Sequence, residues 1–188
     1  MAQPQPPAGE IILTYEDYLQ FPDDGMRYEI LEGVLYMTPA PVPKHQKVSI
    51  NLEFLLYAYV TAHDLGEVYD APIDVVLSRT NVTQPDIIFI GRERLDRITA
   101  KNVSGAPDLV VEILSPSTSQ TDRLVKAQIY ARHGVSYYWL LDPDKQELEE
   151  YVSQDGTFTL LNRHQGKAVF HPAIFPGWEI DLGRVWAG

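Results

Sequence analysis

Two acidic residues lie in apolar runs of the sequence, where a buried strand would ordinarily carry none. Asp86 opens the run 87–90, and Glu112 lies inside the run 109–114. An unpaired carboxylate in such surroundings is costly, so each acid is expected to be protonated, paired with a cation or bound to a metal. The alternative is that each acid lies at the end of a strand and reaches solvent or an arginine.

A helix predicted after Glu112 carries residues of complementary charge. Asp122, Lys126 and then Tyr130 or His133 recur every three or four residues, so they share one face of that helix. If the helix folds back over the sheet, this face points at the strand end that bears Glu112. The alternative is an exposed ion pair between Asp122 and Lys126, which would stabilise the helix only slightly.

Hydrophobic periodicity, turn residues and capping residues predict the elements that would position these side chains. In chain order, we expect a helix at 15–21, strands at 27–31 and 34–38 joined by a turn at Glu32-Gly33, a helix at 44–63, strands at 67–69, 73–77, 86–90 and 109–114, a helix from 117–119 to 133, strands at 135–142, 147–152 and 157–161, and a last strand at 167–170. The charged segment 91–105 is expected to be mobile.

The order of these elements predicts an α/β fold. The strand at 109–114, the helix after it and the strand at 135–142 form a crossover unit, which implies a parallel pair of strands within a mixed sheet. We therefore expect a mixed sheet of about five or six strands flanked by the helices that begin near Lys44 and Thr118, with a C-terminal β-hairpin.

Length and composition predict a single domain at 14–188 that follows a disordered tail at 1–13. The chain has 188 residues and no cysteine, which excludes disulfides, thiolate zinc sites and iron–sulfur clusters. The first residues lack the pattern of a signal peptide or a membrane span, so a cytoplasmic protein without membrane association is expected. The net charge of −11 disfavours nonspecific coating of nucleic acid unless basic groups gather locally or cations bridge.

Several motifs in order along the chain resemble a nuclease family. Gln84-Pro85-Asp86 followed by Val110-Val111-Glu112-Ile113-Leu114-Ser115 resembles the pattern of the PD-(D/E)xK nuclease superfamily. The set that resembles the Uma-two family of restriction-endonuclease-like proteins comprises Tyr28-Glu29-Ile30-Leu31-Glu32-Gly33, Pro41 with His45, Pro107-Asp108-Leu109, Ser115-Pro116-Ser117-Thr118, Asp122-Arg123 with Lys126, Tyr130, Gly134-Val135 and Tyr138-Trp139-Leu140-Leu141-Asp142-Pro143. The resemblance covers residues 14–158.

This resemblance implies a metal site with a lysine beside it. Asp86 and Glu112 would be the ligands of a magnesium ion, with manganese as a substitute, and the backbone carbonyl of Ile113 would supply a third oxygen. The lysine usual two positions after the glutamate is replaced here by Leu114. Lys126 matches the family's displaced lysine and is therefore expected to orient water and stabilise charge.

The resemblance also implies supporting residues around the site. Glu32 would hold a metal-bound water or a second metal, with an exposed turn acid as the alternative. His45 would contact phosphate or position Glu32, with an ordinary helix-terminus residue as the alternative. Asp108 lies in the strand of Glu112 and would contact a metal ligand, and Asp122 and Tyr130 complete the expected set.

The function expected from the resemblance is a magnesium-dependent endonuclease that hydrolyses DNA. The alternative is a nuclease-fold protein that binds nucleic acid or a protein without hydrolysis, which Leu114 and the acidic net charge both favour. A third hypothesis is a structural partner in a larger complex, recognisable by an exposed apolar patch without metal affinity. A homodimer through the C-terminal hairpin is a further expectation. A DNA track is expected where basic residues gather, at Arg79, Arg92, Arg94, Arg97 and Lys101.

Overall fold

The computed structural model describes residues 11–22, 24–38 and 40–187, and in them two main β-sheets and one long helix form the framework. The elements in chain order are α1 (Tyr15–Tyr18), β1 (Arg27–Leu31), β2 (Val34–Thr38), α2 (Pro43–Ala62), β3 (Gly66–Asp70), β4 (Val75–Ser78), β5 (Asn81–Thr83), β6 (Ile87–Gly91), a 3₁₀ helix (Arg92–Arg97), β7 (Val103–Ser104), β8 (Leu109–Ile113), a π-helical segment (Thr121–Lys126), α3 (Ala127–His133), β9 (Tyr137–Asp142), β10 (Glu147–Gln154), β11 (Thr157–Gln165), β12 (Val169–Phe170), β13 (Ile180–Asp181) and α4 (Leu182–Val185). The tail predicted at 1–13 lies, for residues 1–10, outside the described residues.

The larger sheet has six strands in the order β11-β10-β9-β8-β6-β3. Strands β8 and β9 are parallel, as predicted from the helix between them, and the other neighbouring pairs are antiparallel. The predicted C-terminal hairpin is formed by β10 and β11, and both strands extend beyond the predicted ends. The predicted α/β class with a mixed sheet is confirmed.

A second sheet of five strands, in the order β2-β1-β5-β4-β7, was not predicted. Its hairpin of β1 and β2 has the predicted ends and turns at Glu32 and Gly33, whose φ angles of 53° and 80° suit a tight two-residue turn. The prediction of a mobile segment at 91–105 is wrong. This segment forms the 3₁₀ helix and β7, and Val103 is fully buried between the sheets' side chains.

The two faces of the larger sheet bury separate cores. Helix α2 packs Val48, Leu52, Leu56 and Val60 onto one face, together with the C-terminal segment. Along β8, side chains alternate between the faces, so Val111 contacts the α2 side and Val110 the opposite side, which α3 covers. Glu112 shares the face of Val110 and therefore points toward the π-helical segment and α3.

The helix after β8 differs from the prediction in its winding. Residues 121–126 form a π-helical segment that continues directly into α3. The helix ends as predicted at Gly134, which has a φ of 91° and so adopts the left-handed conformation that glycine tolerates. Asp122 and Lys126 lie on the side of the helix that faces β8, as their spacing predicts.

Candidate active site

Asp86 lies immediately before β6 and is 4% exposed. Its Oδ1 accepts a hydrogen bond from Nη1 of Arg27 at 2.9 Å. Its Oδ2 lies 3.1 Å from Nε2 of His45 and accepts the backbone N–H of Ile113 at 2.8 Å. Asp86 is thus held by one side chain from β1, one from the start of α2 and the backbone of β8.

The hydrogen-bond ladder between β6 and β8 opens at this point. Ile87 lies opposite Val111, so the same register continued by two residues places Pro85 opposite Ile113. Proline has no N–H to donate to the ladder. Because the N–H and C=O of one residue lie on the same edge of a strand, the carbonyl of Ile113 faces the same gap as the N–H bound by Asp86.

Glu112 lies at the centre of a second group of contacts and is 3% exposed. Its Oε1 accepts hydrogen bonds from Nζ of Lys126 at 3.1 Å and from the hydroxyl of Tyr130 at 2.8 Å. Lys126 is 5% exposed, and its Nζ also lies 3.3 Å from Oδ1 of Asp122. The alternative of an exposed Asp122–Lys126 pair is therefore excluded.

Glu29 is the acid of this site that the sequence reasoning missed, as it also missed Arg27. It is buried in β1, its Oε2 lies 3.0 Å from Nζ of Lys126, and its Oε1 accepts the N–H of Gln84 at 2.8 Å. The signal was present in the sequence, because Glu29 lies among the largely apolar residues of a short strand just as Glu112 does. We call Glu29, Asp86, Glu112 and Asp122 the carboxylate cluster.

The carboxylate cluster contains more negative than positive charge. Its four acids face two permanent cations, Arg27 and Lys126. Burial, helped by the neighbouring acids, raises the pKa of Glu112 well above its usual range despite Lys126. Burial disfavours the charge of Lys126, but the surrounding carboxylates outweigh it and raise its pKa. Burial would raise the pKa of Asp86 too, but His45, the N–H of Ile113 and Arg27 together lower it.

The oxygen atoms around the ladder gap suit a hard divalent cation. Magnesium binds through one or two carboxylates and keeps several waters. The oxygen ligands that it needs from the protein can therefore come from Asp86, Glu112 and the carbonyl of Ile113. Both hydrogen bonds to Glu112 fall on Oε1, which leaves Oε2 as its available oxygen. No set of three or more acidic or histidine side chains in the described residues converges on one metal position. The donor set therefore fits a partly hydrated ion and not a closed cage.

A cleft opens above the carboxylate cluster, and two loops form its walls. Pro41 and Val42, just before α2, line one wall. The segment 115–118 lines the other, where Oγ of Ser115 lies 3.0 Å from both Oγ of Ser117 and Oγ1 of Thr118. A ligand that reaches the cluster must pass between a largely apolar wall and a hydroxyl-rich one.

The profile of a protein family described as "Uma2: Putative restriction endonuclease" matches residues 15–183. The chain belongs to this family. As a Uma2 protein it is similar to "Uncharacterized protein slr1290" of Synechocystis sp., at 29% identity over 174 residues that cover 90% of both chains. It is also similar to the crystal structure of a putative nuclease belonging to DUF820 from Anabaena variabilis. That similarity has a TM-score of 0.76 and 22% identity, covers 93% of this chain and 97% of the other, and supports the fold.

Two predicted supporting residues of this Uma2 protein are not brought to the cluster. Glu32 lies in the β1–β2 turn, where its half-exposed carboxylate pairs with Nη2 of Arg132 at 2.7 Å. Asp108 accepts the N–H of Gly91 at 2.7 Å and lies 3.1 Å from Nη1 of Arg94. Asp108 precedes Glu112 by four positions, which is about 13 Å along an extended chain. The structure does bring together Asp86, Glu112, Lys126, His45, Asp122 and Tyr130.

Four of the five basic residues predicted to form a DNA track have partners within the chain. Arg79 lies 3.7 Å from Glu16, Arg92 pairs with Asp64, and Arg94 pairs with Asp108. Arg97 donates to the backbone carbonyl of Ala106. These contacts give the four arginines local partners, Lys101 has no ion pair among the described residues, and the DNA track stays a prediction. In the part of the chain that the structure describes, no helix is long and apolar enough to cross a bilayer.

Proposed function

We propose that this Uma2 protein is a magnesium-dependent endonuclease that hydrolyses DNA phosphodiester bonds. The observation that carries the proposal is the burial of Asp86 and Glu112 on either side of the ladder gap, with Lys126 on Glu112. Family membership supports the same class of activity. Asp86, Glu112 and the carbonyl of Ile113 would hold the ion.

Each residue of the site has a role that follows from its contacts. Magnesium, when bound, supplies a water of lowered pKa and stabilises negative charge on the phosphate. Arg27 and His45 fix the orientation of Asp86. Lys126 is held by Glu29, Glu112 and Asp122, so its ammonium keeps one position from which it orients the attacking water and stabilises developing charge.

The test combines isothermal titration of magnesium and manganese with a plasmid-nicking assay on the same samples. The variants are Asp86→Asn and Glu112→Gln, because these keep the volume of buried side chains that alanine would remove. We expect metal binding to weaken and nicking to fall by about a hundredfold or more. Glu32→Gln is the matched control, since it removes an acid outside the cluster, and it should nick normally. Unchanged nicking by both cluster variants would contradict the proposal.

A second candidate is binding without hydrolysis, and one observation favours it. Three donors already bind Asp86, while Lys126 and Tyr130 both donate to Oε1 of Glu112, so groups within the chain already occupy much of the hydrogen-bonding capacity of the two acids. Metal binding without nicking would favour this candidate. A failure to bind metal even with DNA present would mean that Lys126 is the permanent counter-ion of the cluster.

A further inference from the structure

A groove leads out of the cleft over the first turns of α2. The groove and the cleft share four residues, Arg27, Pro41, His45 and Asp86, so they form one continuous depression. Beyond these, the groove is lined by Pro43, Gln46, Lys47, Ser49, Ile50, Glu53, Asp70 and Ala71. A chain-like ligand that lies in the cleft can therefore continue along α2 without leaving the surface.

Lys47 brings to this groove a positive charge that no ion pair compensates among the described residues. It is exposed, and no carboxylate of the described residues lies within ion-pair distance of it. The other basic residues nearby are engaged, since Arg27 pairs with Asp86 and Lys44 with Asp144 at 2.6 Å. In a chain with a net charge of −11, a free lysine beside the cleft is a place where an anion can bind.

An unsatisfied polar atom marks the junction of groove and cleft. His45 is 8% exposed, and its Nδ1 has no hydrogen-bond partner in the described part of the chain. Buried polar atoms are normally paired, so this exception leaves one ring nitrogen of His45 without a partner at a residue that lines both depressions. This observation is independent of Lys47 and lies at the shared end of the two depressions.

The groove also carries negative charge. Glu53 and Asp70 line it, and burial together with the charge of Asp70 raises the pKa of Glu53. Phosphate is repelled by these carboxylates and attracted by Lys47. Between the two, the side chain of Ile50 is 59% exposed and offers apolar surface for the face of a sugar or base.

We propose that this groove binds the nucleic-acid strand beside the scissile position, with Lys47 contacting a flanking phosphate and Ile50 contacting the nucleoside. The ligand class is a phosphodiester strand. The proposal rests on the proposed function, because the chemistry of the cleft decides which part of the strand lies over α2.

The test measures binding separately from cleavage. In a Glu112→Gln background, which is expected not to cut, fluorescence anisotropy follows a labelled oligothymidine and a duplex of equal length over a series of salt concentrations. Lys47→Gln is expected to weaken binding of at least one probe about fivefold and to reduce the slope of log Kd against log salt by about 0.7 to 0.9. Lys47→Glu should weaken binding further. Lys167→Gln, which removes the same charge from an exposed residue that lines neither the groove nor the cleft, is the matched control and should change neither quantity.

The outcomes separate this proposal from the proposed function. Equal effects of the Lys47 and Lys167 variants, or no binding of either probe by the background protein, would contradict the groove proposal. If binding depends on Lys47 but the unchanged chain never nicks a plasmid, the groove proposal is supported and the proposed nuclease activity is contradicted. If the chain nicks DNA and Lys47→Gln leaves the KM unchanged, the groove proposal is contradicted and the proposed nuclease activity is supported.

Discussion

Lys126 is surrounded by Glu29, Glu112 and Asp122, and all four side chains are buried. Taking an ammonium out of water is unfavourable unless its partners compensate, and here three carboxylates do so. The stabilisation is mutual, because the buried carboxylates also require the ammonium as their counter-charge. A bound cation would share this role, so lysine and metal act on the same charge imbalance.

Replacing Lys126 by methionine removes that charge while keeping much of its volume. We expect the free energy of unfolding to fall by about 3 to 5 kcal/mol, because buried carboxylates lose their partner. We also expect magnesium to raise the melting temperature of Lys126→Met more than that of the unchanged chain, since the ion supplies the missing charge. Urea denaturation and thermal melts with and without magnesium measure both effects.

Lys145→Met is the control for this prediction, because Lys145 pairs with Asp142 at the surface. Its loss is expected to cost less than about 1 kcal/mol and to leave the magnesium effect unchanged. Equal destabilisation by the two variants would show that the buried cluster does not depend on Lys126.

At the scale of the residue, the sequence predicts the acids that interrupt apolar runs. Asp86 and Glu112 are found this way, and helical spacing adds Asp122, Lys126 and Tyr130. Glu32 was predicted from its place in a motif, but it occupies the turn of a hairpin and so cannot face inward. Glu29, three residues earlier in the same motif, is the one whose strand position points to Lys126.

At the scale of the element, one buried acid joins the helix to the C-terminal hairpin. Glu149 on β10 accepts hydrogen bonds from Arg123 of the π-helical segment and from Nε of Arg163 on β11, the latter at 3.0 Å. Burial alone would raise the pKa of Glu149, but the two guanidinium groups outweigh it and lower the pKa. The ion pairs therefore fix the helix against the hairpin while Glu149 is ionised.

This arrangement predicts a pH-dependent contribution to stability. Because the pKa of Glu149 is lower in the folded than in the unfolded chain, its stabilisation is present in full above the unfolded value of about 4.3 and is lost as the pH falls through the folded value. The stability difference between the unchanged chain and Glu149→Gln should thus be large at pH 7 and shrink below about pH 4. Chemical denaturation across this range measures it, with exposed Glu179→Gln as control. A difference that stays constant with pH would contradict the linkage.

Element prediction succeeded where strands and helices are long and failed where they are short. Helix α2 and strand β8 carry enough periodic or continuous apolar residues to be read from sequence. Strands β5 and β7 have three and two residues, too few to show a period, and they form because neighbouring strands supply partners. The π-helical winding leaves no periodic signal, since it shifts the register by a single residue.

At the scale of the whole molecule, the candidate site lies where the two sheets meet. Strand β1 of the smaller sheet contributes Arg27 and Glu29, and the larger sheet contributes Asp86 and Glu112. The sequence predicts only the larger sheet. The smaller sheet is missed because the pairing of its short, distant strands depends on tertiary contacts. The placement of Glu29 could not be foreseen without the second sheet.

The excess of acidic residues predicts how salt affects stability. With a net charge of −11, the folded chain repels itself, and added salt screens that repulsion. We expect the free energy of unfolding at pH 7.5 to rise by on the order of 1 kcal/mol between low salt and about 0.2 M sodium chloride. Near the isoelectric point of about 4.8 the same addition should have little effect. Denaturation curves at both pH values test this, and a salt effect of equal size at the two would contradict it.

The floor and the walls of the cleft come from different kinds of structure. The carboxylates of the floor are anchored to strands and to buried hydrogen bonds, whereas the walls are short connecting segments. Loops tolerate changes of length and composition that strands do not. The segments at 40–42 and 115–118 can therefore change in length and composition while the carboxylates beneath them stay in place, so the choice of ligand that enters the cleft can evolve separately from the groups that meet it.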